Sequence, residues 1–318
     1  MEERRPPKGL IVDLITPFDS GGAIDERGLE RLIDRTLPYV QAVYVASPYM
    51  GEGESLSLEE KMVLFANALD HVQGKLPVMV WVSGKSEGLT RNTLDTLKDV
   101  LDKKSYSGPV FWVDSPLYYH SNRGLPEFYG DLVSRTGGSF IIHNDPALIR
   151  RLERPLKRAN IRTGILKELI KIDELKGLIF SGPLERAHNY QRAVRSRSDF
   201  RVYDGDESNF LEHPSLSGVI STGANISPVE WQKITESSIN LNDNRQEYPD
   251  SLEQIWKTGG FLGSLREIYY GNAVALIKQY LSDSGIIGSG RCTYDSEYMG
   301  DKLTSLKKLL ESRLNPSH

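Results

Sequence analysis

Short, nearly unbroken apolar runs alternate with amphipathic segments along most of this sequence, and that alternation limits the fold more than any other feature. The first four runs are GLIVDLI (Gly9–Ile15), AVYVAS (Ala42–Ser47), PVMVWVS (Pro77–Ser83) and PVFWVD (Pro109–Asp114). The next four are SFIIHN (Ser139–Asn144), KGLIF (Lys176–Phe180), FRVYDG (Phe200–Gly205) and SGVIST (Ser217–Thr222). A strand covered on both faces has no solvent side to alternate with, so these runs read as parallel strands between a core and a helical layer. The segments between them have helical spacing. Leu29, Leu32, Ile33 and Leu37 share a face behind an N-cap at Asp25. Ser57 and Glu60 have capping-box spacing ahead of Met62, Val63 and Leu69. Leu94, Leu97, Val100 and Leu101 repeat the pattern, and Pro183 suits the first position of the helix after the sixth run.

Eight strand–helix pairs of this kind predict an α/β fold, a (β/α)8 TIM barrel with a C-terminal helical extension. An open, doubly wound sheet is the alternative. The barrel is expected over residues 1–227, with residues 228–318 forming its last helix and the extension of the same unit. A glycine-rich joint, SGIIGSG (Ser284–Gly290), follows a helix rather than a strand, so it reads as a hinge and not as a phosphate loop.

Charge and composition narrow the function classes. The formal net charge is −4 and the pI near 5.9, which leaves no electrostatic footprint for nucleic acid or an anionic membrane. No run approaches the ~18 apolar residues of a transmembrane helix, and MEERRPPKGL has no apolar core of the signal-peptide kind. Cys292 is the only cysteine, so no intramolecular disulfide can form. A soluble, cytoplasmic protein acting on a small molecule is the expectation.

Active sites of such barrels lie where strands end and the following loops begin. The residues placed there are Asp13, Thr16, Gly51, Glu52, Lys85, Asp114, Tyr118, His143, Asn144, Ile179, Asp204 and Asp206. One strand end stands out for what it lacks: Ile179, between Leu178 and Phe180, is neither acid, base nor nucleophile.

LITPFDSGGAID (Leu14–Asp25) and MGEGESLSLEEK (Met50–Lys61) resemble segments of the dihydrodipicolinate synthase / N-acetylneuraminate lyase family. SPLYYHSNRGL, HNDP, YDGDE and GVISTGAN follow in the order of that family, so the resemblance covers nearly the whole chain. It implies a class I aldolase barrel whose strand-six lysine attacks the ketone of pyruvate, the iminium then serving as an electron sink. Ile179 falls at the position of that lysine, and Lys176 lies three residues earlier on the other face. His143 falls at the family's tyrosine proton relay, while Asn144 and Pro146 keep the motif frame. Leu148 falls near its carboxylate-binding arginine, for which Arg150 or Arg151 could substitute. The carboxylate-binding turn reads Pro48-Tyr49-Met50-Gly51-Glu52, without its two threonines. Tyr118 matches the tyrosine that reaches across a subunit interface.

There are gains as well as losses. Asp13 and Asp204 occupy positions held by small residues in the family, and with His143 they could form a carboxylate–imidazole cluster at the barrel mouth. Such a cluster could hold a divalent cation or work as an acid/base pair; polar groups satisfying one another is the preferred reading. No metal and no cofactor are expected. Lys85, after the third strand, is a candidate relocated Schiff-base lysine. Two functions follow: a divergent barrel binding a small polar metabolite, its Schiff-base chemistry lost, or a lyase acting on a keto acid or sugar acid with a relocated group. His143, Asp13, Asp204, Ile179 and Tyr118 mark the reacting centre. Tyr49, Met50, Gly51, Glu52, Lys85, Asn144 and Asp206 are expected to line the ligand. The resemblance also implies a homodimer or homotetramer.

Overall fold

The computed structural model describes residues 5–153, 158–239, 250–296 and 299–314. Eight parallel strands close into a barrel in sequence order: β1 (Gly9–Asp13), β2 (Ala42–Val45), β3 (Val78–Trp81), β4 (Val110–Asp114), β5 (Ser139–Asn144), β6 (Leu175–Phe180), β7 (Arg201–Asp204) and β8 (Gly218–Ser221). β1 pairs with both β2 and β8, so the sheet has no edge and the open-sheet alternative is excluded. Each expected run holds one strand, most trimmed by a residue or two where the chain turns into a loop.

Helices α1 (Glu26–Thr36), α2 (Leu58–Val72), α3 (Glu87–Lys103), α4 (Leu125–Thr136), α5 (Pro146–Arg150) and α6 (Thr163–Leu169) follow the first five strands. After the last three come α7 (Leu184–Ala193), α8 (Glu207–Glu212) and α9 (Pro228–Ile239). Local chemistry sets the starts. Asp25 accepts from the Gly28 amide at the head of α1, and Ser57 and Glu60 form the expected capping box on α2. Pro183 is the N-cap of α7 rather than its first residue. Beyond the barrel lie α10 (Asp250–Tyr269), α11 (Ala273–Asp283) and α12 (Gly300–Leu314), as the helical extension predicts. The Ser284–Gly290 joint ends α11 and is held to the barrel, the Gly288 amide donating to Asp25 Oδ2 at 2.7 Å.

Strand register decides which side chains enter the barrel, because Cα partners of parallel neighbours share a face and successive residues alternate. Asp13 pairs with Tyr44, Tyr44 with Met79, and Met79 with Phe111. Across the barrel, His143 pairs with Ile179 and Ile179 with Tyr203. Tyr44 and His143 lie on strands that are not neighbours, yet their rings meet edge-on with centroids 6.4 Å apart. That contact can only pass through the lumen, so this set faces inward. The alternate set faces the helices: Phe180 packs on Tyr190 of α7, centroids 5.0 Å apart.

Candidate functional site

At the carboxyl end of the barrel three buried polar atoms have no hydrogen-bond partner among the described residues: Asp13 Oδ1, Tyr44 Oη and His143 Nδ1. All three belong to the inward-facing set, and Ile179, 1% exposed, stands beside His143. Burial pushes the Asp13 carboxyl up to about 7; a hydrogen bond with the Ser47 side chain opposes this and the charge of Glu207 adds to it. Burial holds the His143 imidazole below its ordinary value, against the pull of Asp145, and its Nε2 lies 3.4 Å from Ser181 Oγ. Burial raises the Tyr44 phenol well above its usual value, helped by Asp13. Near pH 7 this group therefore presents a neutral imidazole, a phenol and a carboxyl whose protonated and ionised forms are both within reach. A cavity of about 180 Å³ reaches Asp13 between β7 and β8, lined by Asp206, Glu207, Thr222, Arg266 and Tyr270.

Asp204 does not join them. It is the register partner of Phe180, on the face turned to the helices, and its Oδ2 accepts from the Ser215 amide at 2.9 Å. The cluster of Asp13, His143 and Asp204 is thus corrected to Asp13, Tyr44 and His143. Burial raises the Asp204 carboxyl to about 6, with the Ser215 hydrogen bonds opposing. Asn144, expected on the ligand, also faces outward: it donates to Ala159 O at 2.9 Å and accepts from the Ile161 amide at 2.9 Å. Asp114 is likewise consumed, accepting from Ser83, Tyr119 and Tyr129 hydroxyls at 2.6, 2.8 and 2.7 Å.

The turn after β2 is built for shape. Gly51 accepts from the Thr16 hydroxyl at 2.7 Å and donates to Ser47 Oγ at 2.9 Å, and a Cβ there would come within 2.4 Å of the Ser47 nitrogen. Met50 is buried in the core. Ala46 and Glu52, at φ 51° and 50°, take left-handed conformations on either side of the turn. Glu52 is not available to a ligand: one oxygen pairs with Lys278 of α11 and the other accepts from the Thr293 amide and hydroxyl at 2.6 and 3.0 Å.

Leu148 is fully buried, and Arg151 takes the mouth instead. Its guanidinium lies 4.6 Å above the Tyr49 ring and pairs with Glu54, whose other oxygen accepts from Tyr118 at 3.0 Å. The Tyr118 hydroxyl is therefore directed to Glu54 of the same chain, and its ring meets that of Trp81 edge-on with centroids 5.9 Å apart. Asp206 caps α8, accepting from Ser208 N at 2.8 Å, and faces Arg266 at 3.4 Å.

Lys85 is exposed on the rim of a cavity of about 240 Å³. Lys61, at the wall of the same cavity, is in a more unusual environment than Lys85. It is 7% exposed, with its Nζ 4.7 Å over the Trp81 ring, and burial lowers its amine to about 8 against the pull of Glu54. Sequence reasoning missed it, although Lys61 stands at helical spacing with the buried Leu64, Phe65, Ala68 and Leu69. Tyr44 was missed too; a phenol inside the otherwise aliphatic run Ala42–Val45 was the signal. Among the described residues no three His, Cys, Asp or Glu side chains are grouped to hold a metal ion, and no helix is long and apolar enough to cross a membrane.

The model of the Dihydrodipicolinate synthetase family matches residues 6–261. The chain belongs to that family. A curated relative, the 4-hydroxy-tetrahydrodipicolinate synthase of Sodalis glossinidius (strain morsitans), is 30% identical over 230 residues, 71% of this chain and 73% of that protein. The solved dihydrodipicolinate synthase of Bacteroides thetaiotaomicron has a TM-score of 0.78 at 20% identity, covering 97% of this chain and 99% of that one. The N-acetylneuraminate lyase of Fusobacterium nucleatum has a TM-score of 0.76 at 19% identity, covering 96% and 98%. At these identities both structures speak for the fold.

Proposed function

We propose that this chain is a divergent family barrel that binds a small polar metabolite at Asp13, Tyr44 and His143, without Schiff-base chemistry on β6. The observation that carries this reading is the pairing of His143 with Ile179. The inner end of β6 offers an apolar side chain where the aldolase amine is expected, beside polar atoms that lack partners. Unpartnered buried polar atoms cost about 1–3 kcal/mol each, and a ligand that supplies their hydrogen bonds recovers that cost. Asp13, raised by burial to about 7, can donate when protonated and accept when ionised, which suits hydroxyl-rich compounds; its ionised form suits cations. Simple keto acids fit less well, since Met50 and Leu148 are buried and Arg151 already has Glu54.

A thermal-shift panel of sugar alcohols, amino sugars and pyruvate tests this, because selective binding to the native state raises its stability. Hydroxyl-rich or cationic compounds should give the largest shifts, and Asp13→Asn should abolish them. Pyruvate giving the largest shift would overturn the reading. A second reading, a keto-acid or sugar-acid lyase with a relocated amine, draws its support from Lys61 rather than Lys85. The expected homodimer or homotetramer belongs to either reading and is measured by analytical ultracentrifugation.

A further inference from the structure

A second cavity, of about 620 Å³, opens where α1 and the turn after β8 meet α10, α11 and α12. It shares no lining residue with the cavity at Asp13. Its volume lies within the ~300–1,000 Å³ typical of small-molecule sites. Pro38, Val229, Phe261 and Leu310 give it an apolar wall.

Two arginines line it, and they differ. Arg313 is accounted for: its Nε lies 3.7 Å from Glu230, its Nη2 donates to Thr258 Oγ1 at 3.3 Å, and its guanidinium sits 5.5 Å from the Phe261 ring centre. Arg35, in the last turn of α1, donates one Nη2 hydrogen to Ile226 O at 3.0 Å. Among the described residues its buried Nε has no hydrogen-bond partner and its guanidinium no ion pair. A guanidinium so placed keeps N–H donors beyond the one given to Ile226, and a carboxylate accepts from such donors in charge-assisted bonds.

We propose that this cavity is a binding site for a small amphipathic monocarboxylate, held by the Arg35 guanidinium with its apolar body against Phe261 and Leu310. A carboxylate supplies both the missing acceptor and the missing charge. Inorganic phosphate or a sugar would leave the apolar wall unused. Asp34 and Glu230, also in the lining, disfavour a second negative charge on the ligand.

The test uses the full chain with phenylacetate and octanoate as probes, read by thermal shift and isothermal titration calorimetry. Acetate, which lacks the body, and phenylacetamide, which lacks the charge, are the controls. At least one of the two probes should bind saturably while both controls do not. Arg35→Met should weaken binding at least about tenfold, the loss of a charge-assisted hydrogen-bonded pair. Phe261→Ala should weaken it as well, and Asp13→Asn should leave it unchanged, which separates this site from the one at the barrel mouth. No saturable binding by either carboxylate, equal binding by phenylacetamide, or undiminished affinity in Arg35→Met would overturn the proposal. If Arg35→Met does not fold, Phe261→Ala decides: unchanged affinity there overturns it.

Discussion

Glu52, in the turn after β2, and Lys278, on α11, form an ion pair with side chains 2% and 0% exposed. Lys278 also donates to Arg291 O at 3.0 Å and lies 4.3 Å over the Phe18 ring, while Glu52 holds Thr293. The pair joins the C-terminal helices to the loop that frames the barrel mouth. Breaking a buried pair leaves one charge uncompensated, which costs more than the pair itself contributes.

Lys278→Met should therefore destabilise the protein by about 3–5 kcal/mol. Adding Glu52→Gln should restore part of that loss, because the orphaned carboxylate is then removed. Urea unfolding of the two single variants and the double variant measures the coupling. Additive losses would mean that the pair does not act as a unit.

The contributions of Asp13 and Asp204 to stability should fall as pH rises from about 4, to about 7 for Asp13 and about 6 for Asp204, while the lowered value of His143 works in the opposite direction. The folded-state values of Asp13 and Asp204 lie near 7 and 6, above the unfolded value of 3.8. In that window the folded state keeps protons that the unfolded state has released, so each group opposes folding by up to about 1.4 kcal/mol per pH unit. Asp13→Asn should flatten this decline and leave the variant about 1–3 kcal/mol more stable than the parent at pH 8. Melting temperatures across pH 4–8 are the measurement; equal slopes for parent and variant would refute the assignment.

Ile179→Lys should cost about 2–4 kcal/mol and give no aldolase turnover. Ile179 is 1% exposed and packed so closely against the β7 end that a Cβ on Gly205 would come within 3.0 Å of its Cγ2. A new ammonium there is desolvated, and its pKa falls. Turnover should stay absent, since catalytic groups act as a unit and an amine alone supplies neither a proton relay nor carboxylate donors. Melting temperature and a pyruvate lyase assay on the same preparation check both parts. Restored turnover would show that the amine was the single missing element.

Incubation with pyruvate and borohydride should leave the intact mass unchanged, because β6 presents no amine to the lumen. Lys176, the one lysine on that strand, faces Asp199 at 3.7 Å. A stable adduct mapped to Lys61 would instead favour the lyase with a relocated amine, since its lowered value leaves a larger neutral fraction for attack on a carbonyl.

The sequence by itself determined the element order, the caps and the barrel. Eight apolar runs, Asp25, and the Ser57–Glu60 box are local signals, each read over a few residues and set by burial or by an unpaired helix amide. What it left open was direction. A strand buried on both faces carries no alternation, so nothing local told that Asp13 enters the lumen while Asp204 turns to the helices. Tyr44 joined the site only through its contact with His143 across the closed barrel, and Lys61 displaced Lys85 because α2 turns it over Trp81. The pairing of Glu52 with Lys278, 226 positions apart, was decided only when the C-terminal helices packed on the barrel. Register and docking arise from long-range packing, where the free energy depends on which surfaces meet and not on the residues of one segment.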